Sequence, residues 1–146
     1  MPSQSTSLYN LLAKKKQFRK TINFDLTRIK LALTKLGNPE KKLRNVINIL
    51  GSDGKYTVLN SLKHFIEENK QSTSAYISPS LKDIRERFWM GTNYLSYKEI
   101  KKTISVIEKL NISLTIFEVL TLVYIINAAK NDNDYNLVEA GALFAK

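Results

Sequence analysis

The sequence predicts an α/β fold, a partial parallel sheet with helices on its flanks. Three observations carry this reading. Short strand candidates, the first of them rich in β-branched residues, alternate with longer segments of helical periodicity. Each short run stops at glycine, proline or serine. The intervening segments are long enough to carry a crossover helix, which parallel neighbours require.

Each element has its own signal. Ile22, Leu26, Ile29, Leu33 and Leu36 recur at helical spacing and predict a helix over residues 24–36, with Asn23 or Asp25 as its cap. Gly37-Asn38-Pro39 ends it, with Gly37 where a left-handed residue is wanted. Val46-Ile47-Asn48-Ile49-Leu50 predicts a buried strand running into the turn Gly51-Ser52-Asp53-Gly54. A helix is expected over residues 55–68, turning Val58, Leu62, Phe65 and Ile66 inward. Residues 73–77 form a second strand candidate, broken by Ser78-Pro79-Ser80. Residues 79–95 read as a long loop with a single helical turn, and loops of that length inside a domain are often functional.

Two helices with the same start signal come next. Ser96 with Glu99, and Thr115 with Glu118, match the capping box. Ile100, Ile104, Ile107 and Leu110 give the first a buried stripe. The second, over residues 116–130, is apolar almost all round and is expected to pack on more than one side. A turn at residues 131–134 leads to a last strand over residues 135–139, ending at Ala140-Gly141. In open parallel sheets ligands bind beyond the carboxyl ends of the strands. Here those ends are Gly51, Ser78 and Glu139, so the site is expected there.

Composition narrows the chemistry. There is no cysteine, which excludes disulfides and thiol chemistry, and the single histidine, His64, leaves no pair for a zinc site. The formal charge of +10 favours phosphate-bearing partners. Much of it lies in Lys14, Lys15, Lys16, Arg19 and Lys20, and in Lys41, Lys42 and Arg44, runs that read as solvated faces. Residues 1–7 are polar and expected to fray, and residues 1–22 read as an N-terminal polar and basic segment ahead of the domain. The chain carries neither a secretory leader pattern nor an apolar run long enough to span a bilayer, so a cytoplasmic location and no membrane partner are expected.

Four segments can carry function. In Gly51-Ser52-Asp53-Gly54-Lys55-Tyr56-Thr57 the glycines free backbone N–H groups to face an anion at a helix start, Lys55 adds a mobile cation, and Thr57 a hydroxyl. The spacing departs from the strict phosphate-loop pattern, and the same residues fit a glycine turn with a surface lysine. Ser78-Pro79-Ser80-Leu81 with Arg85-Glu86-Arg87 fits a substrate loop or a proline-stopped strand. Glu118 caps its helix in either case. Glu139 at a strand end fits a Mg²⁺ ligand or an ordinary strand terminus.

Taken together, these segments resemble the dihydrofolate synthase/folylpolyglutamate synthase branch of the Mur-ligase-like enzymes. Leu36-Gly37-Asn38-Pro39 is similar to the family's opening turn. The strand and glycine turn from Val46 to Thr57 resemble its strand and Gly-Thr-Asn-Gly-Lys-Gly-Ser loop. Ser78-Pro79-Ser80-Leu81 through Arg85-Glu86-Arg87 resembles its Ser-Pro-His-Leu…Arg-Glu-Arg stretch, and Thr115-Ile116-Phe117-Glu118 its Thr-x-Phe-Glu motif. Residues 135–141 resemble its strand ending in Glu-Val-Gly. The motifs occur in the family's order over residues 24–141.

The resemblance implies a P-loop-like ATP-binding domain of the Mur-ligase type, truncated. Residues 23–146 would be this incomplete domain, with the C-terminal glutamate-binding domain expected to be absent from these 146 residues. It also implies a reaction: ATP phosphorylates the carboxylate of a dihydropteroate or reduced folate, and the amine of L-glutamate attacks the acyl phosphate. By motif position Gly51, Ser52, Asp53, Gly54, Lys55, Tyr56 and Thr57 hold the ATP phosphates, and Ser78 and Glu139 bind Mg²⁺. Lys55 and Glu118 serve catalysis, and Pro79, Ser80, Leu81 and Arg85 line the substrate loop. Asp53, Tyr56 and Ser80 depart from the family's asparagine, glycine and histidine, and residues 142–146 depart from its continuation. The 146 residues alone are expected to be inactive and poorly folded, and the full-length protein a monomer. The competing readings are another Mur-type amino-acid ligase and a basic nucleic-acid or phosphate-binding module. Nucleic acid is disfavoured because no aromatic stacking motif is interleaved with the basic residues, and the lysines precede the fold proper.

Overall fold

The computed structural model describes residues 4–15, 17–18, 25–51, 54–77 and 83–139. Nine elements position the site. They are α1 (Gln4–Lys14), α2 (Thr27–Lys35), β1 (Val46–Ile49), α3 (Lys55–Glu68), β2 (Thr73–Tyr76), β3 (Phe88–Trp89), α4 (Tyr97–Glu108), α5 (Ile116–Asn131) and β4 (Tyr135–Glu139). Two 3₁₀ turns, Pro39–Lys42 and Ile84–Arg87, join them.

The sheet has four strands in the order β1-β4-β2-β3. β4 lies between β1 and β2 and is parallel to both, with Val46 opposite Asn136 and Thr73 opposite Tyr135. The expected parallel arrangement of the three longer strands is therefore present. The fourth strand was not expected: Phe88 and Trp89 pair antiparallel with Tyr76 and Ala75, inside what reads from sequence as a loop. Two residues are too few to show the period-2 alternation that marks a strand.

Helices cover both faces, as a largely parallel sheet requires. On one face α1, α2, α4 and α5 enclose the main core around Tyr76, Phe88, Tyr124 and Val138. On the other, Leu59 and Ile66 of α3 pack on Ile49, Ala75 and Leu137. α5 is buried around nearly its whole circumference, as its sequence predicts. Both capping boxes form: Ser96 and Thr115 accept from the backbone N–H groups of Glu99 and Glu118, whose side chains accept in return. Asp25 accepts from the Thr27 backbone N–H and hydroxyl at the entry to α2. Gly37 takes φ 84° after it, the left-handed conformation expected at that position.

Two expectations are corrected. The start of the chain is not simply frayed: α1 begins at Gln4, and its Leu8 and Leu12, with Phe18, are buried in the main core. Lys15, read as part of a solvated run, pairs with Glu108 of α4. On α3, Val58 and Phe65 face solvent, and Leu59 takes the inward place with Leu62 and Ile66. At about 100° per residue, Leu59, Leu62 and Ile66 share one stripe, while Val58 and Phe65 lie one step around the helix. No helix among the described residues is long and apolar enough to cross a membrane.

Candidate functional site

The site forms where the parallel strands end. β1 leaves the sheet at Ile49 and passes through Gly51, at φ 136°, towards α3. Gly54, at φ 74°, is the N-cap of α3 and supplies no side-chain cap. The cap residue itself therefore satisfies none of the first N–H groups of the helix with a side chain, and the positive dipole end of α3 lies at the strand ends. Lys55 is the first helical residue. Its Nζ lies 3.9 Å from Oε1 of Glu139, the last residue of β4. Glu139 is only 5% exposed, and its Oε2 is buried with no hydrogen-bond partner. The fold thus brings together two of the residues that sequence reasoning singled out, from positions 84 apart in the chain. Tyr56 and Thr57 follow on the exposed first turn of α3. Ser52 and Asp53 lie outside the described residues, as do Ser78, Pro79, Ser80 and Leu81.

Glu118 sits at the same end of the sheet. Ser74 Oγ lies 2.7 Å from the Tyr124 hydroxyl, and the Tyr76 hydroxyl 3.4 Å from Thr121 Oγ1. Stepping along β2 towards its carboxyl end thus matches stepping one turn back along α5. Glu118 is one turn further still, level with or beyond the end of the strand. Its Oε1 accepts from the Thr115 backbone N–H at 2.9 Å. It also accepts from Nε and Nη2 of Arg28 at 3.3 and 3.1 Å. The carboxylate is 1% exposed and its Oε2 has no partner. No hydrogen bond or ion pair joins Glu118 to Lys55 or Glu139 among the described residues.

Arg28 is the residue that sequence reasoning missed. It stands on α2, 90 residues from Glu118, and is flanked by residues read for the helix stripe, so nothing local marks it as a partner. Arg85 is placed differently from a free substrate-binding cation. Its guanidinium donates to both oxygens of Asp83 and lies 4.6 Å from the ring centroid of Tyr97. Hydrogen bonding from Arg85 holds the Asp83 carboxyl down, to about 2.

The donor set suits a phosphate ligand with a hard cation. An uncapped helix start and Lys55 supply positive potential. Glu118 and Glu139 each leave one buried carboxylate oxygen without a donor, which is what an oxygen-ligated cation takes up. Among the described residues no group of three acidic or histidine side chains gathers, so a complete protein cage for a metal is not formed by them alone.

No protein-family model matches this chain, and no curated protein does. Solved structures do. A structure of E. coli FolC in complex with DHPP and ADP is 26% identical, with a TM-score of 0.83, over 97% of this chain and 34% of that one. The folylpolyglutamate synthase of Thermotoga maritima is 25% identical, with a TM-score of 0.78, over 94% of this chain and 33% of its own. That of Mycobacterium tuberculosis, complexed with ADP, is 25% identical, with a TM-score of 0.79, over 93% and 32%. The chain spans about a third of the length of these structures. The fold of this chain is thus similar to about a third of the folylpolyglutamate synthase/dihydrofolate synthase structures, in agreement with the sequence resemblance.

Proposed function

We propose that this chain is the ATP-binding portion of an amide-bond ligase that joins L-glutamate to dihydropteroate or a reduced folate. The observation that carries the reading is the convergence of Lys55 with Glu139 at the carboxyl ends of parallel strands, beside an uncapped helix start. Solved structures of the same fold hold ADP, and one of them DHPP as well.

In this reading the backbone from Gly51 to Thr57 wraps the phosphates, and Lys55 neutralises their charge. On nucleotide binding Lys55 would turn from its 3.9 Å contact with Glu139 to the phosphates, and a cation would be needed to compensate the buried Glu139 carboxylate. Glu139, with Ser78, would hold Mg²⁺, which when bound would draw charge from the transferred phosphoryl group. Glu118 holds the start of α5 in place through Thr115 and Arg28, and by motif position it sits near the phosphates. Pro79, Ser80, Leu81 and Arg85 belong to the loop that helps bind the pterin substrate. Transfer of the terminal phosphoryl group to that carboxylate makes it an acyl phosphate, and the amine of glutamate displaces phosphate to form the amide. The test is ADP release from ATP by a protein containing these residues, with a pteroate or folate and glutamate both supplied. ADP release that ignores either co-substrate would refute the assignment.

A further inference from the structure

A separate cavity of about 290 Å³ lies at the opposite end of the sheet, where the parallel strands begin. The turn after β3, the first turns of α4 and the last turn of α5 bound it. Its walls are held by their own contacts. The Met90 N–H donates to the Asn93 carbonyl at 3.0 Å and the Leu95 N–H to the Phe88 carbonyl at 3.1 Å, which closes the turn. Lys130 at the cavity lies twelve residues along α5 from Glu118, about 18 Å of helix. The cavity is therefore distinct from the candidate nucleotide site.

Asn127 stands in an otherwise apolar stretch of α5 and is 8% exposed. Its Nδ2 donates to the Val123 carbonyl at 2.8 Å and to Thr103 Oγ1 at 3.0 Å. The Val123 carbonyl can only accept, which fixes the nitrogen end of the carboxamide. A lock between α4 and α5 accounts for that nitrogen but not for the oxygen. Oδ1 takes no donor from the described residues, is not sealed off as the free oxygens of Glu118 and Glu139 are, and belongs to a side chain that lines the cavity. Two ammonium groups stand beside it, Lys102 from α4 and Lys130 from α5. Neither forms an ion pair among the described residues. The acid at the cavity, Glu99, is fixed by its capping box, where Oε2 accepts from the Ser96 N–H at 2.8 Å. The partial charges of the α4 start and the α5 end oppose each other, so the cavity carries about one net positive charge.

We propose that this cavity binds a small carboxylate that also carries hydroxyl or ammonium donors. The carboxylate lies between Lys102 and Lys130, and a donor on the same molecule satisfies Asn127 Oδ1. A phosphate monoester, at about −1.5 to −2, carries more charge than the cavity balances. The inference does not depend on the nucleotide reading.

Trp89 is the single tryptophan of the chain and packs edge-on against Tyr94 of the cavity wall, with ring centroids 5.1 Å apart, so its fluorescence reports occupancy. The probes are D-glycerate, L-aspartate and L-glutamate, titrated into the 146-residue chain, and calorimetry repeats each titration without a reporter. At least one of the three is expected to saturate. Propionate, which lacks a donor, and glycerol, which lacks a charge, bind roughly threefold or more weaker. Lys102→Gln and Lys130→Gln, both at exposed positions, each weaken binding roughly three- to fivefold. Lys109→Gln removes the same charge beyond the far end of α4 and changes binding by less than about twofold. No saturation by any of the three acids, in a parent that unfolds cooperatively, would overturn the proposal. So would equal weakening by all three lysine variants, or tighter binding of glycerol 3-phosphate than of every carboxylate.

Discussion

Removing Arg28 should destabilise the protein more than removing the charge it pairs with. Glu118 is 1% exposed, and the Arg28 side chain 17%. Truncating one partner of a fully buried ion pair costs about 3–5 kcal/mol, because the other charge is left without compensation. Two features lower that figure here. Water reaches the guanidinium, and Glu118 keeps the Thr115 backbone N–H at 2.9 Å. We therefore expect Arg28→Ala to cost about 2–3 kcal/mol. In Glu118→Gln the amide oxygen preserves the capping box, and Arg28 can turn to solvent, so the loss should be about 1 kcal/mol. The double variant should lose about 1.5 kcal/mol, less than the sum, with a coupling of about 1.5–2.5 kcal/mol. Urea unfolding followed by far-ultraviolet circular dichroism at neutral pH measures all four proteins. Additive losses, or an Arg28→Ala variant within about 0.5 kcal/mol of the parent, would refute the pairing as a stabilising contact.

Two further perturbations follow from local geometry. Gly91 has φ 105°, and a methyl group there would overlap the buried carboxamide of Asn133, so Gly91→Ala should lower stability by about 2–4 kcal/mol in the same unfolding assay. A loss under about 0.5 kcal/mol would mean that the 91–94 turn is placed wrongly. Asp83 has its carboxyl depressed to about 2 by hydrogen bonding from Arg85. A depressed carboxylate stabilises the fold above its unfolded value, near 4, and that contribution is lost as pH falls towards 2. The stability difference between the parent and Asp83→Asn should therefore shrink across that window, and a difference constant with pH would contradict the contact.

Much of the fold was legible because its signals are local. A β-branched run ending at Gly51 marked β1, a short run broken by Ser78-Pro79-Ser80 marked β2, and the two Ser/Thr-x-x-Glu boxes fixed the starts of α4 and α5. What escaped was set by tertiary contact. β3 exists because Phe88 and Trp89 dock on β2, and α1 because Leu8 and Leu12 find the main core despite polar neighbours. On α3 the apolar residues lie on more than one side, so periodicity alone did not choose between Leu59 and the pair Val58 and Phe65. In the site, Lys55 and Glu139 were recognisable from their places after strands. The Arg28–Glu118 pair was not, since its members are 90 residues apart and each has an ordinary helical role.

The account turns on whether the Gly51–Thr57 turn holds nucleotide phosphates. Calorimetric titration of the 146-residue chain with ADP in the presence of magnesium, repeated on Lys55→Ala, tests this most directly. Loss of a charge-assisted contact of about 1.5–3 kcal/mol weakens binding roughly 10- to 150-fold. We predict that the parent binds ADP and that Lys55→Ala, with an unchanged circular dichroism spectrum, binds it weaker by that factor. ADP binding of equal strength in the two proteins, or none by a folded parent, would contradict the central claim.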